Sequence, residues 1–127
     1  MSKKILIVDD EPHLRTLIQQ TLEELEDEGV ELITATNGEE ALETIRNEEP
    51  DLVFLDVMMP KKNGFDVCNE VKNQLGLNHI QIVLLTAKGQ EFDRQRGQEV
   101  GADLYMTKPF DPDALVAKAR SVLGLPA

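Results

Sequence analysis

Ile5-Leu6-Ile7-Val8-Asp9-Asp10 is an apolar run closed by an acid pair, and Leu52-Val53-Phe54-Leu55-Asp56 is a second run closed by a single acid. Short unbroken apolar runs rich in branched residues read as strands of a parallel sheet covered on both faces. Gln81–Thr86 is a third run of this kind. Working outward, strand and helix alternate five times: strands at about Lys4–Val8, Glu31–Ala35, Asp51–Asp56, Gln81–Thr86 and Asp103–Met106. The helices are expected at about Pro12–Asp27, Gly38–Asn47, Phe65–Gln74, Glu91–Val100 and Pro112–Leu123. Leu14, Leu17, Ile18, Leu22 and Leu25 recur at helical spacing on the first helix, as do Leu115, Val116, Ala119, Val122 and Leu123 on the last. Pro12 and Pro112 suit helix starts, and Asp111 suits an N-cap.

Alternating strands and helices imply right-handed crossovers and a parallel sheet between two helical layers. The second and fifth strands are shorter and more polar, so they belong at the edges. The fold class is therefore α/β: a flavodoxin-like (βα)5 three-layer sandwich with five strands in order 2-1-3-4-5. Ligands of such sheets lie beyond the strand carboxyl ends where the winding reverses, between the first and third strands. Asp9, Asp10 and Asp56 end those two strands.

Three carboxylates gathered there repel one another unless a cation or protons compensate. The loop Asp9-Asp10-Glu11-Pro12 lacks the glycines and hydroxyls that cradle a bare phosphate or a flavin phosphate. It suits a hard cation such as Mg2+, which takes few carboxylates, some waters and the oxygens of a phosphorylated substrate. Thr86 ends the fourth strand beside the small Ala87, and Lys108 follows the fifth. A hydroxyl and an ammonium beside a carboxylate and Mg2+ make a site for a transferred phosphoryl group. In it Lys108 and the cation neutralise oxygen charge, Thr86 donates a hydrogen bond and Asp56 attacks phosphorus.

Whole-chain properties narrow the class further. The 127 residues, 41% hydrophobic and 29% charged, are sized for one domain spanning 1–127. A net charge of -11 opposes direct nucleic-acid binding by this domain. Cys68 is the one cysteine, which excludes an intrachain disulfide and fits a reducing compartment. The start has too short an apolar stretch for a signal peptide and no run reaches the roughly 20 residues of a membrane span, so a cytoplasmic location is expected.

Asp9-Asp10, Asp56 followed by Val57-Met58-Met59-Pro60 and Asn63-Gly64, Thr86-Ala87, Tyr105 and Lys108-Pro109-Phe110 together resemble the receiver (CheY-like) domain of bacterial two-component response regulators. The resemblance runs from about Lys4 to Leu123. It implies that Asp56 accepts a phosphoryl group from a histidine kinase or phosphotransfer protein. It implies too that Asp10, Asp56 and the main-chain carbonyl of Met58 bind Mg2+ directly, with Asp9 assisting through water. On phosphorylation Thr86 would move toward the new oxygens and Tyr105 would swing from outward to buried. The face formed by the fourth helix, fifth strand and fifth helix would then control a downstream protein target. Such a domain catalyses its own phosphorylation and dephosphorylation without turning over a separate substrate. Met58 and Lys88 stand where family members tune hydrolysis of the phosphoryl group.

Receivers joined to winged-helix DNA-binding domains often dimerise on that face through ion pairs, for which Arg94 and Lys118 are candidate bases. Leu104 and Ala114 stand where the matching acids are expected, which argues against that dimer and for a monomer or a weak phosphorylation-dependent one. After Leu123 the sequence offers only Gly124-Leu125-Pro126-Ala127, so it is read as a stand-alone receiver or as the receiver half of a longer transcription factor. A haloacid-dehalogenase-type phosphatase is the rival enzyme class, but its nucleophile would end the first strand in a D-x-D pattern. A binding module that has lost phosphorylation is the rival non-enzyme class. Among single residues, Cys68 reads as a buried helix filler, His79 as a loop residue and Glu11 as an exposed helix-start acid. The run Glu23–Glu28 reads as the solvated, fraying end of the first helix, badly placed against its dipole.

Overall fold

The computed structural model describes residues 3–59, 62–87, 99–108 and 111–126. Five parallel strands stand in the order β2-β1-β3-β4-β5: β1 Lys3–Val8, β2 Val30–Ala35, β3 Leu52–Asp56, β4 Gln81–Ala87 and β5 Leu104–Lys108. The helices are α1 Pro12–Leu22, α2 Gly38–Glu48, α3 Gly64–Asn69 and a C-terminal helix, Pro112–Leu123. This is the expected sandwich with β2 and β5 at its edges. The expected fourth helix, Glu91–Val100, with Lys88 and Arg94, lies mostly outside the described residues, as do Pro60, Pro109 and Phe110.

The pleat sorts the apolar runs into two cores. Leu6, Val8, Val53, Leu55, Ile82 and Leu84 face α2 and α3. Their neighbours Ile5, Ile7, Leu52, Phe54, Val83 and Leu85 face α1 and the C-terminal helix. Every residue of β3 is buried, its terminal carboxylate included. At about 1.5–3 kcal/mol for each large side chain, this double burial sets the strand register firmly. Helix starts follow local chemistry: Asn37 Oδ1 accepts from Glu40 N–H at 2.9 Å, and Asp111 Oδ1 accepts from Asp113 N–H at 3.0 Å.

Two elements and one residue depart from expectation. The α-helical part of α1 stops at Leu22, and Glu23–Glu28 form a 3-10 turn ended by Gly29 at φ 87°. Acids oppose the helix dipole there, and the tighter turn keeps Leu25 buried while its acidic neighbours stay exposed. Leu17 is 46% exposed, because Ile18, Leu22 and Leu25 already form the inward stripe and Leu17 lies beside it. The third helix widens after Asn69 into a π turn, Glu70–Gln74. That turn carries buried Lys72, whose Nζ lies 2.8 Å from Oδ2 of Asp103, the residue before β5.

Candidate functional site

Strand register brings the acids together. Ile7 pairs with Phe54 and Val8 with Leu55, so Asp9 and Asp56 follow as the next neighbours across the β1–β3 boundary. By alternation both continue the face that holds Ile5, Ile7, Leu52 and Phe54. Asp9 is fully buried, Asp56 is 4% exposed and Asp10 is exposed. One carboxylate oxygen from each of the three lies within 4.8 Å of the others. At an effective dielectric near 20, like charges about 4 Å apart repel by roughly 4 kcal/mol.

Lys108 answers part of that repulsion. It is the last residue of β5 rather than a residue beyond it, paired in register with Ala87. Its side chain passes the end of β4 to place Nζ 3.1 Å from Asp56 Oδ1 and 3.2 Å from Asp9 Oδ2. Burial works against the ammonium charge, but the carboxylates of Asp56 and Asp9 outweigh it and hold Lys108 above its ordinary pKa. Asp56 is pushed up to about 6 by burial and by the charge of Asp9. Lys108 and the Met58 N–H, 3.3 Å from Asp56 Oδ1, pull the other way. Three carboxylates facing one ammonium leave an excess of two negative charges, the charge of one divalent cation. An all-oxygen donor set with this excess fits Mg2+.

The acids have different surroundings. Asp9 Oδ1 accepts from Glu11 N–H at 2.9 Å and Oδ2 faces Lys108, so both of its oxygens are engaged. Asp10's carboxylate has no hydrogen bond or ion pair among the described residues. Acids capping α1 would be the alternative role, but that helix has no side-chain cap at Glu11, and Asp9 serves the loop instead.

Thr86 is buried at the end of β4, on the face of Ile82 and Leu84. Tyr105 pairs with Leu84, Thr107 pairs with Thr86, and Tyr105 packs half-buried against the same core. Thr86 and Tyr105 therefore share the sheet face opposite Asp9 and Asp56. Met58 is 67% exposed beside the carboxylates.

Two supporting residues were not singled out for their roles. Gly64 opens α3 against the end of β3, where a Cβ would fall 2.5 Å from the Asp56 carbonyl oxygen. Asn63-Gly64 signals a helix start, but only the folded chain shows that the approach excludes a side chain. Arg15, on the first turn of α1, donates from a terminal guanidinium nitrogen to the Asp9 carbonyl at 2.8 Å. Cys68 is buried as expected, its thiol pushed up to about 12 mainly by burial, and His79 lies on the surface within 3.2 Å of Glu49.

The response regulator receiver domain profile matches residues 5–120. Among curated relatives, the alkaline phosphatase synthesis transcriptional regulatory protein PhoP of Bacillus subtilis is 48% identical over 97% of this chain and 49% of its own. The probable transcriptional regulator ycf27 of Pyropia yezoensis is 49% identical over 95% of this chain and 47% of its own. The chain thus spans about half the length of the curated relatives it matches. Among solved structures, chemotaxis response regulator CheY4 of Vibrio cholerae superposes with a TM-score of 0.83 at 33% identity, covering 96% of this chain and 99% of its own. The receiver domain of NtrX from Brucella abortus gives 0.81 at 31% identity, covering 96% and 99%.

Proposed function

This chain belongs to the response regulator receiver domain family, and from that membership and the pocket geometry we propose that Asp56 is the phosphoacceptor of its signalling switch. The observation that carries the reading is Lys108 Nζ held 3.1 Å from Asp56 Oδ1 inside a cluster of three carboxylates. An oxygen of Asp56 attacks phosphorus of a phosphohistidine on a histidine kinase or phosphotransfer protein. The P–N bond breaks as the P–O bond forms, and the departing imidazole takes up a proton. Lys108 draws off charge from the phosphoryl oxygens, and the Thr86 hydroxyl donates to one of them. Mg2+ held by Asp10, Asp56 and the Met58 carbonyl, with Asp9 assisting, would supply further neutralisation of those oxygens.

The output follows from the new charge. Aspartyl phosphate presents oxygens where the unmodified carboxylate had none, and these give Thr86 a partner. Tyr105 shares the face of Thr86, so movement of one changes the packing offered to the other. Taking an active form from about 1% to 99% requires roughly 5.5 kcal/mol, within reach of a few charge-assisted hydrogen bonds. The surface that includes β5 and the C-terminal helix then engages a downstream protein.

A second reading of the output is favoured by the relatives, whose names describe transcriptional regulators about twice this length. On it, the same switch governs an attached DNA-binding unit. Leu104 before Tyr105 and Ala114 early in the C-terminal helix remove two acids from the surface available for a paired dimer. No helix among the described residues is long and apolar enough to cross a membrane, and a cytoplasmic location suits partners of this kind.

The deciding experiment is intact-mass measurement after incubation with a small phosphodonor, with Mg2+ or with EDTA. The chain gains one phosphoryl group only with metal, and Asp56→Asn gains none. An undiminished adduct in that variant would remove Asp56 from the role.

A further inference from the structure

The corner between β1 and α1 is tied down at every polar handle of Asp9. Its N–H reaches the Ala35 carbonyl at 3.4 Å, its carboxylate oxygens meet Glu11 N–H and Lys108, and its carbonyl accepts from Arg15 at 2.8 Å. The first main-chain bond of α1, Arg15 N–H to the Glu11 carbonyl at 3.0 Å, fixes the far end of the same corner whatever side chain stands at position 15. The Arg15 guanidinium straps the Asp9 end of the three-residue turn Asp9-Asp10-Glu11 to the first turn of α1, where the helix ladder already holds the Glu11 end. Asp10, the middle residue, is the one carboxylate of the cluster left without a hydrogen bond among the described residues. The position from which it reaches the pocket is set by the backbone of the turn.

A lone surface arginine would lower the affinity of a nearby cation site through like charge. Here Arg15 is half-buried and its guanidinium is directed at a main-chain carbonyl, a use that depends on its rigid donor geometry more than on its charge. We infer that Arg15 is a positioning residue for the cation site, fixing the Asp9-Asp10-Glu11 turn so that the Asp10 carboxylate is presented to the pocket before the ion arrives. This rests on the reading of the pocket as a Mg2+-dependent phosphoacceptor site. Pre-organisation and electrostatics then predict opposite signs. If Arg15 acts by holding the turn, its loss weakens Mg2+ binding; if it acts as a nearby positive charge, its loss strengthens it.

The test is a Mg2+ titration of the unphosphorylated chain followed by amide chemical shifts, for the unaltered protein, Arg15→Met and Arg15→Lys. Arg15→Met keeps the apolar stem and removes every donor. Its Mg2+ dissociation constant should rise about tenfold, the scale seen when groups supporting metal ligands are removed. Its melting midpoint should stay within about 5 °C of the unaltered chain, showing that the fold is kept. Arg15→Lys restores one donor and should recover part of the lost affinity. Tighter or unchanged Mg2+ binding in Arg15→Met overturns the inference while leaving the phosphoacceptor reading in place. Equal weakening in a folded Arg15→Lys overturns its hydrogen-bond basis. Failure of the unaltered chain to bind Mg2+ at all overturns the phosphoacceptor reading, and this inference with it.

Discussion

Lys108 Nζ lies 3.1 Å from Asp56 Oδ1, joining the last residue of β5 to the last residue of β3 past the intervening end of β4. The same ammonium is 3.2 Å from Asp9 Oδ2, so a single positive charge serves two buried carboxylates. Lys108→Met removes it without emptying the space its stem occupies. The expected result is a loss of roughly 1–3 kcal/mol at neutral pH, the scale for leaving buried charged groups unpaired. Urea unfolding measures it. Added Mg2+ should return more stability to the variant than to the unaltered chain, because the cation then meets no internal competitor. Equal Mg2+ effects on both proteins would show that Lys108 and the cation do not share this charge.

The acidity of Asp56 gives the metal-free protein a pH dependence of definite sign. Its folded pKa of about 6 lies above the ordinary 3.8, so the folded state holds this proton more tightly than the unfolded chain does. The stabilisation is complete below pH 4 and is lost as pH rises through 6. Above that, ionised Asp56 is a burden on the fold. Asp56→Asn should therefore be more stable than the unaltered chain at pH 7.5, by roughly 1–2 kcal/mol after allowance for solvent reaching the pocket. The advantage should shrink toward pH 4. Chemical denaturation in EDTA across that range tests it, and a gap that widens on acidification would reverse the assignment.

Gly64 is required by contact, not by backbone twist. A Cβ there would meet the Asp56 carbonyl oxygen at 2.5 Å and Val57 Cα at 3.0 Å, both on a buried strand end that has nowhere to retreat. Gly64 N–H also donates to the Val57 carbonyl at 3.0 Å, tying the start of α3 to the residue after Asp56. Gly64→Ala should destabilise by roughly 1–3 kcal/mol, the range for forcing extra carbon into a packed site. It should also slow phosphoryl uptake, since the displaced group is the main chain of Asp56, the proposed acceptor. Denaturation and intact-mass time courses read the two effects separately.

What could be read from the residues divides along a physical line. Unbroken apolar runs at Ile5–Val8 and Leu52–Leu55 can only be satisfied by burial on two faces, so strand order and the meeting of Asp9 with Asp56 followed from them. The exposed Leu17 and the 3-10 turn at Glu23–Glu28 did not follow, because periodicity marks a stripe without giving its width or its end. Lys72 with Asp103 and Arg15 on the Asp9 carbonyl were hidden for another reason. Each joins a long cation to a partner set by tertiary placement, and nothing local distinguishes such a lysine or arginine from a solvated one. Lys108 was recognisable because it stands at the end of the fifth strand with Pro109 and Phe110 after it, while the path of its ammonium to Asp56 is set by the fold.

Thr86 and Tyr105 give the output step its own test. Thr86 is buried at the end of β4 on the face of Leu84, the residue that pairs with Tyr105, so a change at the Thr86 hydroxyl acts on the face that carries the ring. The chain has one tyrosine and no tryptophan, which makes its ultraviolet fluorescence a report on Tyr105 alone. In the unaltered protein, a phosphodonor with Mg2+ should change that emission as the ring's surroundings change. Thr86→Ala deletes the hydroxyl while Asp56 and Lys108 keep their contact, so phosphoryl uptake by mass should persist. Its emission change should be lost or much reduced, because the new phosphoryl oxygens no longer draw the end of β4 toward them. A full emission change in phosphorylated Thr86→Ala would mean that the signal reaches Tyr105 by a route that does not use this hydroxyl.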